Sequence, residues 1–265
     1  MHHSPPFTAL SIAGSDSGGG AGIQADLRTF AALDVHGTCA VTALTAQNTR
    51  GVEGIHAQPR AVLRAQIDAV LADFRVGAIK VGMLATPALA RAVAQALAPH
   101  PRLPVVLDPV LVATSGARLG TDGLVAALHR HLLARADLLT PNIPEAECLL
   151  DRVIATTSDM RAAAGALLER GARAVLLKGG HLAGNEISDL LLTHRGEHWF
   201  HQRRVRGEFH GTGCTLSAAI TAGIARGHPL EAAVEAGIDF VQQALAAGYR
   251  PGKGKLRVLD HLAAR

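Results

Sequence analysis

The chain has 265 residues, of which 48% are hydrophobic and 18% charged, so it is long enough to fold as one domain with a large core. Aromatic residues make up only 3%, which argues against nucleic-acid binding by base stacking. The net charge of +4 comes from scattered Lys and Arg. No apolar run reaches the roughly 20 residues that a transmembrane helix needs. Three cysteines without motif spacing indicate a reducing, cytoplasmic location.

Strand-like and helix-like segments alternate along the whole chain. In chain order, the hydrophobic patterns predict strand 7–14, helix 21–33, strand 37–46, helix 61–74, strand 78–84, helix 87–98, strand 104–110, helix 122–134, strand 136–142, helices 144–150 and 158–170, strand 174–180, a hairpin of 187–193 with 198–205, and helices 213–226 and 230–247. Continuous apolar strands alternating with helices are typical of an α/β fold whose mostly parallel central sheet carries helices on both faces. We expect a single domain over residues 1–265.

Polar and glycine residues follow each predicted strand at its carboxyl end. In chain order they are GSDSGGGAG (14–22), Gln47 with Asn48, Gly82 with Met83, Asp108, Asn142 with Glu145, and Lys178. The carboxyl edge of an open α/β sheet is where ligands bind. The pattern therefore predicts one ligand site along this edge.

Several of these residues have a functional and a structural interpretation. Asp108 after its strand could hold Mg²⁺ or be a buried turn residue, and Asn142 with Glu145 could serve a ligand or a helix start. Lys178 could face a phosphate or form a salt bridge at the strand end. Asp26 could be a surface residue in the first turn of its helix. GSDSGGGAGIQAD (14–26) lacks the Lys-Ser/Thr of a P-loop and has no clean G-x-G-x-x-G spacing, which argues against a dinucleotide site.

The run HGTGCTLSAAI (210–220) is the most informative segment of the chain. A glycine turn leads directly into a helix, so unpaired backbone N–H groups and the helix dipole favour an anion there. Cys214 lies at this positive end, and we expect the dipole and any bound cation to lower the pKa of its thiol. An anion cradle that contains an acid/base group suits phosphoryl transfer to a hydroxyl.

Together these residues resemble the ribokinase-like family, and more closely the hydroxymethylpyrimidine/phosphomethylpyrimidine kinases of thiamine biosynthesis. The resemblance spans nearly the whole chain in family order. It rests on IAGSDSGGGAGIQADLRTF, TALTAQNT-x-GV, KVGML, LDPVLVATSG, TPNIPEAE, LLKGGH and HGTGCTLSAAI. The chain departs from the usual family pattern at Glu208 and Phe209, just before His210, which bears on nucleotide preference.

The resemblance also implies roles by position. Asp26 and Gln47 would hydrogen-bond an aminopyrimidine ring, and the pocket around it would be lined by Gly14, Ala21, Met83 and Val110. Asp108 and Glu145 would hold Mg²⁺, with Asn142, Lys178 and Thr212 binding ATP. Lys178 would also face the transferred phosphate. Gly211, Thr212 and Gly213 would form the anion hole, and Cys214 would be the base.

The implied activity is Mg²⁺- and ATP-dependent phosphorylation of 4-amino-5-hydroxymethyl-2-methylpyrimidine and of its monophosphate. The partners implied are these small molecules and a second copy of the chain in a homodimer, with no nucleic acid and no membrane. A pyridoxal kinase is the alternative enzyme, which the Gln47 amide disfavours. A binding or sensor protein without catalysis is the alternative from another class, which Asp108, Glu145, Lys178 and Cys214 disfavour together.

Overall fold

The computed structural model describes residues 7–112, 116–117 and 119–264, so 113–115 of the motif LDPVLVATSG lie outside the described residues. A nine-stranded sheet forms its centre, in the order β3-β2-β1-β4-β5-β6-β7-β8-β9. The strands are β1 (Phe7–Asp16), β2 (Val35–Asn48), β3 (Gly51–Ala57), β4 (Val76–Val81), β5 (Val105–Leu107), β6 (Leu138–Leu139), β7 (Ala174–Leu177), β8 (Glu186–Thr193) and β9 (Gly196–Arg203). Neighbours from β2 to β7 are parallel, whereas β3, β8 and β9 run antiparallel to their neighbours.

Eight α-helices among the described residues connect and cover these strands. They are α1 (Gly22–Ala32), α2 (Arg60–Asp73), α3 (Pro87–Leu97), α4 (Leu124–His131), α5 (Ile143–Leu150), α6 (Thr157–Glu169), α7 (Thr212–Ala225) and α8 (Leu230–Ala246). A small parallel pair, β10 (Phe209–His210) with β11 (Arg257–Val258), ties the last described residues to the start of α7.

The helices lie on both faces of the sheet because successive strand residues point to opposite sides. In β5, for example, Leu107 packs into the cluster formed with α2 to α6, whereas Val106 packs into the cluster formed with α7 and α8. The predicted α/β architecture with a mostly parallel sheet and two helical layers is confirmed.

Most predicted elements are present with shifted ends. The hairpin of β8 and β9 is confirmed, and the predicted helices appear within a few residues, with 122–134 ending early in a short 3-10 turn at Leu133–Arg135. Four predicted strands are too long, since β4 ends at Val81, β5 at Leu107, β6 at Leu139 and β7 at Leu177. The residues beyond these ends are the loops that carry the candidate site.

Candidate active site

The carboxyl ends of the parallel strands open into a cavity of about 600 Å³. This is the edge at which an open α/β sheet binds its ligands. All of the predicted site residues except Asp26 line it: Gly14, Ala21, Gln47, Met83, Asp108, Val110, Asn142, Glu145, Lys178, Gly211, Thr212, Gly213 and Cys214. The motifs are far apart in sequence, and the parallel topology brings them to one place.

The start of α7 forms one wall of the cavity. Gly211 precedes the helix with φ +86°, a left-handed conformation, and a Cβ at this position would collide with the carbonyl oxygen of Gly20. Among the described residues no side chain caps the first helical N–H groups. These donors and the positive end of the helix dipole therefore face the cavity, which makes this wall suitable for a phosphate.

A lysine and two carboxylates face this helix start. Lys178 Nζ lies 3.0 Å from Asp108 Oδ1 and 3.9 Å from Glu145 Oε2. Burial alone raises the pKa of Asp108, but the charges of Lys178 and Lys80 outweigh it and hold that pKa below its ordinary value. Burial raises the pKa of Glu145 to about 7 in spite of Lys178. The cluster therefore holds one firmly ionised carboxylate and one whose charge responds to its surroundings.

Both carboxylates are held by hydrogen bonds, that of Glu145 within its own helix start and that of Asp108 from other elements. Asn142 and Glu145 form a reciprocal capping box at the start of α5, in which the Asn142 side chain accepts from the Glu145 backbone N–H at 2.9 Å. Asp108 accepts hydrogen bonds from the hydroxyls of Thr140 at 3.2 Å and Ser217 at 3.3 Å. The structural interpretation of Asn142 as a helix cap is therefore correct, and the same loop also lines the cavity.

The two carboxylates suit Mg²⁺ by their chemistry. Magnesium in phosphoryl-transfer sites takes one or two carboxylate oxygens and completes its shell with water and substrate phosphates. Within the described residues no group of three or more His, Cys, Asp or Glu side chains forms a complete cage. Asp108 and Glu145 therefore fit a cation that arrives with a nucleotide better than a permanently bound structural ion.

Cys214 lies in the first turn of α7, but the expected lowering of its thiol pKa is wrong. Burial raises this pKa to about 11, with Asp26 and Asp108 adding to the effect. Lys80 and the backbone N–H of Gly22 act in the opposite direction and do not outweigh the loss of water. The group is therefore a neutral thiol at physiological pH.

Asp26 and Lys80 form an ion pair behind this thiol. Neither side chain is exposed, Lys80 Nζ lies 2.6 Å from Asp26 Oδ1, and Ser11 Oγ donates to Asp26 Oδ2 at 2.6 Å. Asp26 is thus neither an exposed helix residue nor part of the cavity lining, so its implied bond to a ring stays a prediction without geometric support. Lys80 escaped the sequence analysis, although a lysine inside the apolar run AIKVGML signals a buried partner.

Asp16 holds the glycine-rich loop against the start of α7. Its carboxylate accepts backbone N–H bonds from Gly18, Gly20 and Ala21 at 2.8–3.0 Å and lies 3.0 Å from His210 Nε2. Burial alone raises the pKa of Asp16, but these partners, His210 foremost, lower it overall. No role was expected for Asp16, although an aspartate two residues before the first of three glycines is typical of a side chain that bonds the following backbone.

The far end of the cavity lies between the hairpin of β8 and β9 and helix α8. Asp189 accepts from the Gly179 N–H and from Gln202, each at 2.7 Å, and Gln242 donates to Gln202 at 2.8 Å. Burial raises the pKa of Asp189 to about 6. Apolar side chains of Ile238, Val241 and Leu245 complete this wall. This region was not expected from the sequence because, apart from Gly179 in LLKGGH, the residues named here belong to none of the motifs.

Comparison with known proteins agrees with this geometry. The family described as phosphomethylpyrimidine kinase matches residues 16–259. The chain is 46% identical over 250 residues to the hydroxymethylpyrimidine/phosphomethylpyrimidine kinase of Haemophilus influenzae, covering 92% of this chain and 93% of that protein. No helix in the described part of the chain is long and apolar enough to span a membrane.

Two solved structures are closely similar. The phosphomethylpyrimidine kinase of Clostridium difficile superposes with a TM-score of 0.81 and 36% identity, covering 90% of this chain and 99% of that one. The pyridoxal kinase of Staphylococcus aureus, solved in complex with AMP-PCP and pyridoxal, gives a TM-score of 0.90 at 30% identity over 98% of this chain and 95% of that one. The family model covers residues 16–259, and the H. influenzae kinase is 46% identical over 92% of the chain, so the likeness extends to the sequence as well as the fold. The chain belongs to the phosphomethylpyrimidine kinase family.

Proposed function

We propose that this chain transfers a phosphoryl group from ATP to the hydroxymethyl group of 4-amino-5-hydroxymethyl-2-methylpyrimidine, and then a second one to the monophosphate, for thiamine biosynthesis. The observation that carries the proposal is one cavity that is lined both by Gln47 with apolar side chains and by the uncapped start of α7. The apolar side chains are those of Met83 and Val110, and Lys178 faces the helix start. The names of the family and of its relatives support the choice of substrate.

The chain's own residues supply charge stabilisation and alignment. The first N–H groups of α7 and the ammonium of Lys178 would hold the transferred phosphoryl group, whose charge is spread over its oxygens. Asp108 and Glu145 would hold Mg²⁺, which neutralises phosphate charge when bound. Asn142 and Thr212 would contact the nucleotide. The nucleoside end would lie along α8, where Gln242 and the apolar wall are found.

Cys214 would take the hydroxyl proton as the new O–P bond forms, the β–γ phosphate bond of ATP breaks and ADP leaves. Because burial raises its pKa to about 11, only a small thiolate fraction exists at neutral pH. Loose phosphoryl transfer needs little help from a base until late in the reaction. We therefore expect kcat/KM to rise with pH above 7, and a Cys214→Ala variant to lose both activity and this rise.

The test is an ATP-consumption assay with Mg²⁺ in which the pyrimidine and pyridoxal are offered separately. The products are identified by mass spectrometry. Singly and doubly phosphorylated pyrimidine is the expected result. Phosphorylated pyridoxal alone would overturn the proposal in favour of a pyridoxal kinase. Binding of either ring without ATP turnover would indicate a binding protein.

Pyridoxal kinase is the second candidate because the S. aureus enzyme covers nearly the whole chain with a TM-score of 0.90. A pyridoxal ring has a phenolic oxygen and one ring nitrogen, whereas the aminopyrimidine offers an amino group and two ring nitrogens. An amide of Gln47 that donates to a ring nitrogen finds two such acceptors in the aminopyrimidine and one in pyridoxal, which makes pyridoxal a side substrate. The ratio of the two kcat/KM values measures this preference directly.

The domain, assembly and location expected from the sequence complete the proposal. One kinase domain over 1–265, a homodimer and a cytoplasmic location are supported by the family resemblance. Light scattering after size exclusion tests the dimer, and a monomer mass at micromolar concentration would contradict it.

A further inference from the structure

Three polar side chains meet at one wall of the cavity. His210 Nε2 lies 3.0 Å from Asp16 Oδ2 and 2.7 Å from the amide atom of Gln47 that is assigned as its nitrogen, Nε2; the hydrogen bonding of its neighbours requires the opposite assignment, with the amide turned by 180°. Asp16 and His210 are buried, whereas Gln47 is partly exposed and lines the cavity. Two hydrogen-bond partners therefore converge on one imidazole nitrogen, and that nitrogen carries at most one hydrogen.

The carboxylate fixes the role of this nitrogen. Asp16 accepts three backbone N–H groups, and its pKa lies below the ordinary value, so the group is ionised at neutral pH. An unprotonated Nε2 would point its lone pair at this charge from 3.0 Å, which is repulsive. His210 Nε2 therefore carries a hydrogen and acts as a donor.

The donor at Nε2 in turn decides which way the Gln47 amide faces. The oxygen and nitrogen of an amide have nearly the same shape, so hydrogen bonding determines which of them lies toward a partner. An amide NH₂ would bring a second donor to within 2.7 Å of Nε2–H, whereas the carbonyl oxygen accepts from it. The oxygen of Gln47 therefore faces His210.

The other end of the amide agrees with this orientation. Thr45 Oγ1 lies 3.0 Å from the Ser15 carbonyl oxygen, to which it gives its only hydrogen. The same Oγ1 lies 3.1 Å from the amide atom of Gln47 that is assigned as its oxygen, Oε1. A hydroxyl whose hydrogen goes to Ser15 can only accept from this atom, so turning the amide to place its nitrogen here satisfies both contacts. The NH₂ group faces Thr45, and one of its two hydrogens remains for a ligand.

We propose that His210, held by Asp16, is a specificity-determining positioning residue, which fixes the Gln47 amide so that it offers a ring in the cavity an N–H donor. The inference rests on the proposed function for the identity of the ring. A donor at this position selects a ring nitrogen that accepts a hydrogen bond. It does not select the exocyclic amino group, which is itself a donor.

The first test uses the wild-type protein without substrate. The ¹⁵N spectrum of histidine-labelled protein, assigned at His210 by difference from a His210→Leu variant, reports which imidazole nitrogen is protonated. Protonation at Nε2 at pH 7.5 is expected. Protonation at Nδ1 alone would overturn the proposal, and it would do so whatever ring the enzyme phosphorylates.

The second test is a double-mutant cycle on the pyrimidine kinase reaction. His210→Leu and Gln47→Ala should each raise KM about tenfold with little change in kcat, as expected for loss of one hydrogen bond of about 1.4 kcal/mol that is equal in ground and transition states. The double variant should be no worse than Gln47→Ala alone. If the increase in KM of the double variant equals the product of the two single increases, His210 has a separate structural role and the proposal is overturned. Asp16→Asn, which removes the charge that holds the imidazole, serves as a second route if His210→Leu does not fold.

A matched control and substrate analogues identify the group that Gln47 recognises. The control variant His261→Leu removes another buried histidine, whose Nε2 lies 3.0 Å from Thr215 Oγ1 in α7; neither residue lines the cavity. This variant should leave the effect of Gln47→Ala unchanged. The penalty of Gln47→Ala should disappear for an analogue in which one ring nitrogen is replaced by CH, and persist for an analogue without the amino group. The reverse pattern would show that Gln47 accepts from the ring. Wild-type protein inactive on the parent pyrimidine would instead contradict the proposed function.

Discussion

Cys214 shows how far the surroundings of one residue alter its chemistry. The start of a helix and a nearby lysine both favour a thiolate, yet burial and two carboxylates raise the pKa to about 11. At pH 8 only about one thiol in a thousand is then ionised. A cysteine with this pKa reacts slowly with oxidants and alkylating reagents, because the thiolate is the reactive form.

Alkylation measures this low reactivity. We expect the rate of Cys214 labelling by iodoacetamide to rise about tenfold per pH unit between pH 8 and 10, because the thiolate is the reactive form. Peptide mass spectrometry separates it from the exposed Cys148, which reports reagent access in the same sample. A labelling rate of Cys214 that levels off below pH 9 would contradict the raised pKa.

At the scale of elements, the first turn of α7 has a residue at which helix stability and function oppose each other. A Cβ at Gly213 would lie 3.1 Å from Lys178 Nζ and 3.7 Å from Asp108 Oδ2. Glycine inside a helix costs about 1 kcal/mol relative to alanine. The fold gives up this stability at a position where a methyl group would displace the ammonium of Lys178 by a few tenths of an ångström.

The substitution Gly213→Ala tests this opposition. We expect thermal stability to stay equal or rise, while kcat falls at least tenfold because Lys178 must move away from the helix start. Gly165→Ala in α6 is the matched control, since its Cβ would meet nothing within 4 Å, and it should gain stability without loss of activity. Full activity of Gly213→Ala would remove Lys178 from the proposed mechanism.

The elements that sequence reasoning found are those with a strong hydrophobic pattern. Strand β3 was not expected because this edge strand, GVEGIHA, has two glycines and no fully buried residue, so little apolar burial marks it. The predicted strand 104–110 continues past the end of β5 at Leu107, because Pro109 and Val110 extend the apolar pattern. Strand ends are set by pairing with neighbours, which a single segment does not encode.

At the scale of the whole molecule, the same contrast separates the predictable part of the site from the rest. Motif residues at strand ends were predictable because parallel topology collects them at one edge. The pairs Asp26 with Lys80 and Asp16 with His210 join segments 54 and 194 residues apart. Such partners follow only from three-dimensional packing, and this packing also explains why the predicted lowering of the Cys214 pKa was wrong.

The last described residues contribute to the stability of the whole fold through His261. Its side chain is buried, its Nε2 lies 3.0 Å from Thr215 Oγ1, and burial lowers its pKa from 6.5 to about 4. The lowered pKa favours the neutral form in the folded state. The resulting stability is therefore complete above pH 6.5 and is lost as the pH falls toward 4, because the unfolded chain takes up a proton first.

Comparison of wild type with His261→Gln isolates this contribution. Asp189 and Glu145, whose pKa values burial raises to about 6 and about 7, act in the opposite direction, since their stability is lost as pH rises. The total pH dependence therefore mixes both signs, whereas the difference between the two proteins does not.

We expect the unfolding free energy of wild type to fall relative to His261→Gln by about 1.4 kcal/mol per pH unit between 6 and 4, to a limit of about 3 kcal/mol. Urea unfolding at several pH values measures this difference, and substitution of the exposed His194 by Gln is the control. Parallel curves of unfolding free energy against pH for wild type and His261→Gln would contradict the prediction, because they would show that His261 titrates alike in the folded and unfolded states.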